Sequence, residues 1–245
     1  MPEGPSIVIL KEACAPFIGK KVLSIDGNTK VDIVRLKGQK VIDFKSWGKQ
    51  FLICFKDVTV RIHLLMFGSY RINEQKEAPP RLSLKFKNGE LNFYTCSVKL
   101  IEGDIEAVYD WEVDVMSDNW NPQKAVAAIR KLKGTPVCDL LLDQNIFAGS
   151  GNIIKNEVLF RVRLHPETTT NALTLKKIKE LVADTRKYCF LFYEWKKAFV
   201  LRKHWQVYKQ KICPNCGGLI TLKHLGKHKR RTFFCANCQV LVIKK

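Results

Sequence analysis

Through about residue 115 the apolar positions come in short runs with partial two-residue alternation. The runs are "KVLSIDG", "KVIDFKS", "QFLICFKD", "TVRIHLLM", "SYRINE" and "RLSLKFKNGELNFYT", separated by glycine, asparagine and aspartate. A period of two with turn residues between runs predicts strands. The runs follow one another too closely for helical crossovers, so the sheet is expected to be antiparallel, as a sandwich or barrel. Within it "FKNGELNF" predicts a hairpin with its turn at Asn88-Gly89. Ahead of the strands, "GPSIVILKEACAPFIG" reads as a helix that stops near Pro16 and Gly19.

The pattern changes at "DVMSDNWNP". Ser117 or Asp118 is placed to cap a helix over "PQKAVAAIRKLKG", which ends at Gly134. "PVCDLLLDQNIFAGSGNIIKNEVLFRVRL" and "TLKKIKELVADTRKYCFLFYEWKKAFV" carry helical periodicity as well. The expected architecture is therefore α+β and multidomain: a β-rich domain over 1–115, a helical domain over 116–208 and a small cysteine module over 209–245.

Composition narrows the function. Hydrophobic residues make up 46% of the 245, enough for packed cores. No apolar run reaches the length of a membrane span, and no basic start leads into an apolar stretch, so an intracellular, cytoplasmic protein is expected. The formal net charge is +19, and from Trp195 to Lys245 there are thirteen Lys or Arg and no Asp or Glu. That one-sided field suits a phosphate backbone. A membrane surface would call for a broad apolar helix face, which this segment lacks.

The nine cysteines fall into two sets. Cys14, Cys54, Cys96, Cys138 and Cys189 sit singly in apolar contexts and read as core residues of a reduced protein. Cys213-Pro-Asn-Cys216 and Cys235-Ala-Asn-Cys238 form two C-x-x-C knuckles with eighteen residues between them. Four thiolates so spaced suit one tetrahedral Zn²⁺ with no open position, a structural metal. His224 and His228 lie in the spacer as possible substitute ligands. Lys227, Lys229, Arg230 and Arg231 near the hairpin tip suit a DNA groove or its phosphates, although many zinc ribbons bind protein instead.

"FAGSGNIIKNEVLF" holds a second candidate anion site. Gly149-Ser150-Gly151-Asn152 separates two helical patterns. Small residues admit a ligand to the backbone, and the free N–H groups of a following helix attract an anion. Asn152 can cap that helix or reach a phosphate itself. A plain turn between helices would use the same glycines.

The Pro-Glu start, "GSGNIIKNEVLF" and the cysteine hairpin, in this order, resemble the DNA glycosylase family of formamidopyrimidine-DNA glycosylase and endonuclease VIII. The resemblance spans essentially the whole chain, and "Pro-Glu-Gly-Pro" is more similar to the endonuclease VIII branch. It implies an N-terminal antiparallel β-sandwich with its helix, a helix–two-turn–helix domain and a zinc-finger hairpin. It also implies a base-excision-repair enzyme, both glycosylase and abasic-site lyase, acting on double-stranded DNA with damaged bases or abasic sites. Pro2 matches the nucleophile once Met1 is removed. An α-amino group has a pKa of about 8, against about 10.4 for lysine, so a useful fraction of it is neutral near pH 7. Glu3 matches the carboxylate that manages protons at the sugar. Lys49 matches a lysine at the phosphate beside the lesion. Gly151 and Asn152 match the phosphate-gripping turn, and Arg230 the zinc-hairpin arginine, with Arg231 beside it. Glu157 resembles a glutamate near the lesion. "HLLMFGSYRI" resembles the segment that fills the gap left by a flipped nucleotide; Met66 is the foremost candidate, with Phe67 and Tyr70 as alternatives.

The resemblance implies one structural zinc, no organic cofactor, a monomer and a bacterial, nucleoid-associated location. Two departures stand out. Ser6 occupies the place of a second glutamate, and "FYTCSVKL" lacks the Arg and Phe of the formamidopyrimidine branch, which turns the expected substrate toward oxidised pyrimidines. A DNA-binding relative without catalysis and a protein-binding zinc ribbon are the rival readings.

Overall fold

The computed structural model describes residues 2–243. By their contacts they form two compact units, Met1–Asp110 and Trp111–Lys245.

The first unit opens with α1, Gly4–Cys14. Pro5 lies in its first turn, where a missing N–H leaves no bond unmade, and Glu3 is the N-cap residue in extended backbone. A 3-10 turn at Ala15–Phe17 and Gly19, at φ 76°, end the helical stretch. Eight strands follow: β1 Ser24–Asp26, β2 Asp43–Trp47, β3 Gln50–Cys54, β4 Val58–His63, β5 Ser69–Ile72, β6 Leu82–Phe86, β7 Gly89–Tyr94 and β8 Ser97–Glu102. They build two antiparallel sheets, ordered β1-β6-β7-β5 and β2-β3-β4-β8. Phe51, Ile53, Val60 and Ile62 of one sheet share a core with Leu82, Leu84, Leu91 and Phe93 of the other. The Phe51 and Phe93 rings meet 5.8 Å apart across it. Ile7, Leu10 and Cys14 of α1 join this core, and α1 packs on β2 and β3. This is the expected sandwich with its helix.

Two local expectations are corrected. The β6–β7 turn is Lys87-Asn88, one residue earlier than predicted. Gly89 instead starts β7 at φ 142°, where a Cβ would fall 1.9 Å from Asn73 Oδ1. That oxygen accepts the Glu90 N–H at 3.0 Å. "TVRIHLLM" is strand only as far as His63, and the chain turns at Leu65, φ 52°.

In the second unit α2 is Pro122–Lys131. Its cap is Asn121, not Ser117 or Asp118: Asn121 Oδ1 accepts the Lys124 N–H at 3.0 Å, and Pro122 presets the first helical φ. The helical pattern after Pro136 is interrupted. A single turn, α3 Val137–Leu140, is followed by turns until α4, Asn152–Arg161. The long α5, Leu175–Lys197, starts at Thr174, whose Oγ1 accepts the Lys177 N–H at 3.2 Å. β9, Thr221–Leu225, and β10, Arg230–Phe234, form an antiparallel hairpin. Every residue of α4 except Arg161 is buried. Its Phe160 joins Val207, Cys213, Phe233 and Cys235 in a small core, so the cysteine module packs on the helices. No described helix is long and apolar enough to cross a membrane.

Candidate nucleic-acid interface

Pro2, Glu3, Lys49 and Met66 lie in the first unit. Pro2 is half-buried and Glu3 fully buried, side by side at the start of α1. The expected removal of Met1 concerns a residue outside those described. Ser6, one turn on, donates its N–H to the Glu3 carbonyl at 2.8 Å, while its buried Oγ has no hydrogen-bond partner. A glutamate would reach further than that hydroxyl does. Lys49 occupies the two-residue β2–β3 turn with Gly48, whose φ of 55° is what the first position of such a hairpin turn requires.

Met66 is not a core strand residue. Leu65, Met66 and Phe67 are 51%, 48% and 79% exposed in the β4–β5 loop, whereas Tyr70 is half-buried against the core. The loop closes through the Gly68 N–H to the Leu64 carbonyl at 2.7 Å, and a Cβ at Gly68 would fall 2.0 Å from that oxygen. At its base His63 Nδ1 accepts the Leu65 N–H at 3.1 Å. Burial, then Lys49 and Arg61, lower the His63 pKa, which keeps that nitrogen an acceptor.

In the second unit the four sulfurs of Cys213, Cys216, Cys235 and Cys238 lie within 4.8 Å of one another. Cys213 and Cys238 are 3.7 Å apart and Cys216 and Cys235 3.5 Å. Tetrahedral zinc with bonds of about 2.3 Å places sulfurs about 3.8 Å apart, so the donors fit. His224 and His228 are not part of the cluster. The backbone N–H of Gly218 draws the Cys216 thiol down to about 7, while Cys216 pushes Cys238 up to about 12. A shared dication relieves that conflict. The five single cysteines are all buried, and desolvation pushes Cys14 to about 12 and Cys96 and Cys138 to about 11, as inert core thiols.

The glycine turn and the hairpin come together. Gly151 is the N-cap of α4. Asn152 does not cap it; Nδ2 donates to the Arg231 carbonyl at 2.9 Å, and its buried Oδ1 has no partner. Arg230 and Arg231 are exposed neighbours on β10. The turn itself is braced by Gln144, whose Oε1 accepts the Gly149 N–H at 3.1 Å and whose Nε2 donates to the Ser150 carbonyl at 3.1 Å.

Glu157, matched by resemblance to a glutamate near the lesion, has another place here, and Asp139 and Gln239 escaped the sequence reading. Glu157 is neither a surface charge nor open to a ligand. It is wholly buried and accepts the N–H groups of Gln206, Val207 and Tyr208 at 2.7–3.0 Å. Burial pushes its pKa up, against the pull of those donors. Asp139 holds the hairpin tip by accepting the Lys227 N–H at 2.9 Å. Gln239 accepts the Cys235 N–H at 2.9 Å and donates to the Leu164 carbonyl at 2.9 Å, fixing a knuckle to the helices. The signal available for α4 was its polar set 152, 155 and 156, an i, i+3, i+4 face.

The β-sandwich unit and the helical unit each match a domain model of one family. The model for the formamidopyrimidine-DNA glycosylase N-terminal domain matches residues 1–97, and that for the formamidopyrimidine-DNA glycosylase H2TH domain matches 112–189. The chain belongs to the formamidopyrimidine-DNA glycosylase/endonuclease VIII family, on the endonuclease VIII side. Endonuclease 8-like 3 of Xenopus laevis is 34% identical over 231 residues, 89% of this chain and 38% of that protein. The Homo sapiens protein of that name is 35% identical over 237 residues, 93% of this chain and 39% of its own length. The chain thus spans about two fifths of these curated relatives. In fold it matches Lactococcus lactis formamidopyrimidine-DNA glycosylase, solved non-covalently bound to DNA containing an abasic site. The TM-score is 0.85 at 24% identity, covering 97% of this chain and 99% of that one. A viral DNA glycosylase matches with TM-score 0.84 at 19% identity, covering 97% and 100%.

Proposed function

We propose that the protein is a bifunctional DNA glycosylase and abasic-site lyase that removes oxidised bases, pyrimidines foremost, from double-stranded DNA. The first domain, 1–115, carries the chemistry; 116–208 and the zinc hairpin, 209–245, hold the strand. The observation that carries this reading is the 2.9 Å bond from Asn152 Nδ2 to the Arg231 carbonyl. It puts a helix N-terminus and two exposed arginines at one place, an arrangement for phosphate.

With Met1 removed, the Pro2 secondary amine attacks C1′ of the damaged nucleotide. The C1′–base bond breaks and the base leaves with its electron pair, taking up a proton. The ring opens to an iminium, with Glu3 supplying and receiving protons at the sugar. The iminium acidifies the adjacent C2′, whose proton is lost, and the C3′–phosphate bond breaks. Water then releases Pro2. Lys49 holds the neighbouring phosphate, and Met66, with Phe67 beside it, fills the space of the extruded nucleotide. Gly151, Asn152, Arg230 and Arg231 grip the strand. Cys213, Cys216, Cys235 and Cys238 bind one structural zinc, with no organic cofactor. The protein acts as a monomer wherever its DNA lies, the bacterial nucleoid being the location implied by the family resemblance.

Borohydride trapping on a duplex with one abasic site tests this, because that substrate needs no base recognition. A covalent complex in wild type and none in Pro2→Gly is the expected result. No complex from protein whose mass shows Pro2 at the N-terminus refutes it and leaves the second reading, a DNA-binding relative without catalysis. The unpartnered Ser6 hydroxyl beside Glu3 favours that second reading.

A further inference from the structure

Lys155 is fully buried in the middle of α4, and no role in phosphate binding or chemistry has fallen to it. Burying a lysine is costly unless its amine finds acceptors. Here Nζ donates to Thr232 Oγ1 at 2.8 Å and lies 3.5 Å from the Arg231 carbonyl. The Thr232 hydroxyl passes the bond on, donating to the Arg230 carbonyl at 3.0 Å. One amine thus reaches the backbone oxygens of both arginines, directly and through one hydroxyl. The neighbours on the same helix face complete the grip. Asn156 Oδ1 accepts the Phe233 N–H at 2.8 Å, and its Nδ2 donates to the Asn152 carbonyl at 2.6 Å. Asn152 Nδ2 supplies the shortest bond to the Arg231 carbonyl.

We propose that Lys155 is a positioning residue that couples the zinc hairpin to the glycine-turn end of α4, so that Arg230, Arg231 and Asn152 bind phosphate as one unit. This rests on the DNA-binding reading above. The arginine side chains are long and flexible, and what can be fixed is the backbone from which they leave. A hydrogen-bonded chain from a buried helix to successive carbonyls of β10 fixes it. In the other direction, losing the hairpin's fold strips hydrogen-bond partners from Asn152, Lys155 and Asn156, and so loosens the turn at Asn152, 79 residues before Arg231.

The test uses the full chain in four forms: wild type, Lys155→Met, Arg230→Ala and the double variant. Affinity for a duplex carrying a tetrahydrofuran abasic analogue is measured across salt concentrations, with zinc content and melting checked. Lys155→Met is expected to keep one zinc, to weaken binding about tenfold and to flatten the salt slope by about one phosphate contact. Arg230→Ala is expected to cost much less in the Lys155→Met background than in wild type. A merely structural lysine would leave the salt slope and the Arg230→Ala cost unchanged, and that result overturns the proposal. Thr232→Val, which removes the relay with little change of volume, is expected to reproduce the effect, and serves if Lys155→Met does not fold. Amide exchange at Thr232 and Phe233 gives a readout free of DNA. Either variant is expected to speed it at least tenfold, and unchanged exchange overturns the coupling. If wild type lacks salt-sensitive binding while the variants speed exchange, the DNA reading fails and the coupling of hairpin to helix stands.

Discussion

The β4–β5 loop and the β9–β10 hairpin both expose side chains that the proposed function offers to DNA, but they are held in opposite ways. Leu65, Met66 and Phe67 stand out from a short loop closed by the Gly68 N–H and the His63 ring. Arg230 and Arg231 stand on a strand whose backbone is bonded to three side chains of α4, and whose tip is bonded to Asp139 of α3. A loop that must slide between bases can be autonomous. A hairpin proposed to register phosphates at fixed spacing is tied to the helix that would carry the other phosphate contacts. Function and stability should therefore separate at the loop and stay linked at the hairpin.

Metal removal should widen this contrast most. Structural zinc contributes about 10 kcal/mol or more of apparent folding free energy in small four-ligand modules. Chelation, or Cys216→Ser, is expected to unfold the hairpin and abolish salt-sensitive DNA binding, while the sheet signal of the first unit persists in circular dichroism. Next comes Glu157→Leu, which leaves three N–H groups without their acceptor, among them that of buried Val207. The expected loss is about 3 kcal/mol, read by denaturant unfolding. A loss below about 1 kcal/mol would show that the bonds from α4 to the 206–208 segment are dispensable.

What the sequence disclosed divides along the same line. The sandwich, the helices and the four-cysteine site were legible because their signals are local: alternation, periodicity and knuckle spacing each lie within a few dozen residues. The hairpin turn moved from Asn88-Gly89 to Lys87-Asn88 because Asn73, 17 residues before Glu90, claims the Glu90 N–H. Asn152 was singled out, but its bond to Arg231 was invisible, since its partner is 79 residues away. Glu157 was singled out by resemblance and Lys155 and Asn156 were not singled out at all, and only packing shows that all three are buried. Buried polar residues with distant backbone partners leave no periodic trace.

Smaller effects belong to the loop. Met66→Ala and Phe67→Ala are expected to change stability by no more than about 0.5 kcal/mol, as exposed substitutions do. Each is expected to slow cleavage of an abasic duplex about tenfold and to leave an abasic single strand nearly unaffected, since a single strand has no gap to fill. An equal loss on both substrates would deny them a wedge role. The smallest effect is a pH dependence at His63. Its folded pKa lies below the ordinary 6.5, so the fold prefers the neutral ring. The stability this gives is complete above about 6.5, because neither state is then protonated. It declines as the pH falls from there, where the unfolded chain binds the proton first, and is lost as the pH passes through the folded value. Protonation at Nδ1 also ends the bond from the Leu65 N–H and sets a second cation near Lys49. Wild type is therefore expected to lose stability and duplex cleavage together below about pH 6, and His63→Asn to lack that step. Losses of equal size in both would place the titrating group elsewhere and leave the loop as independent of pH as it is of the core.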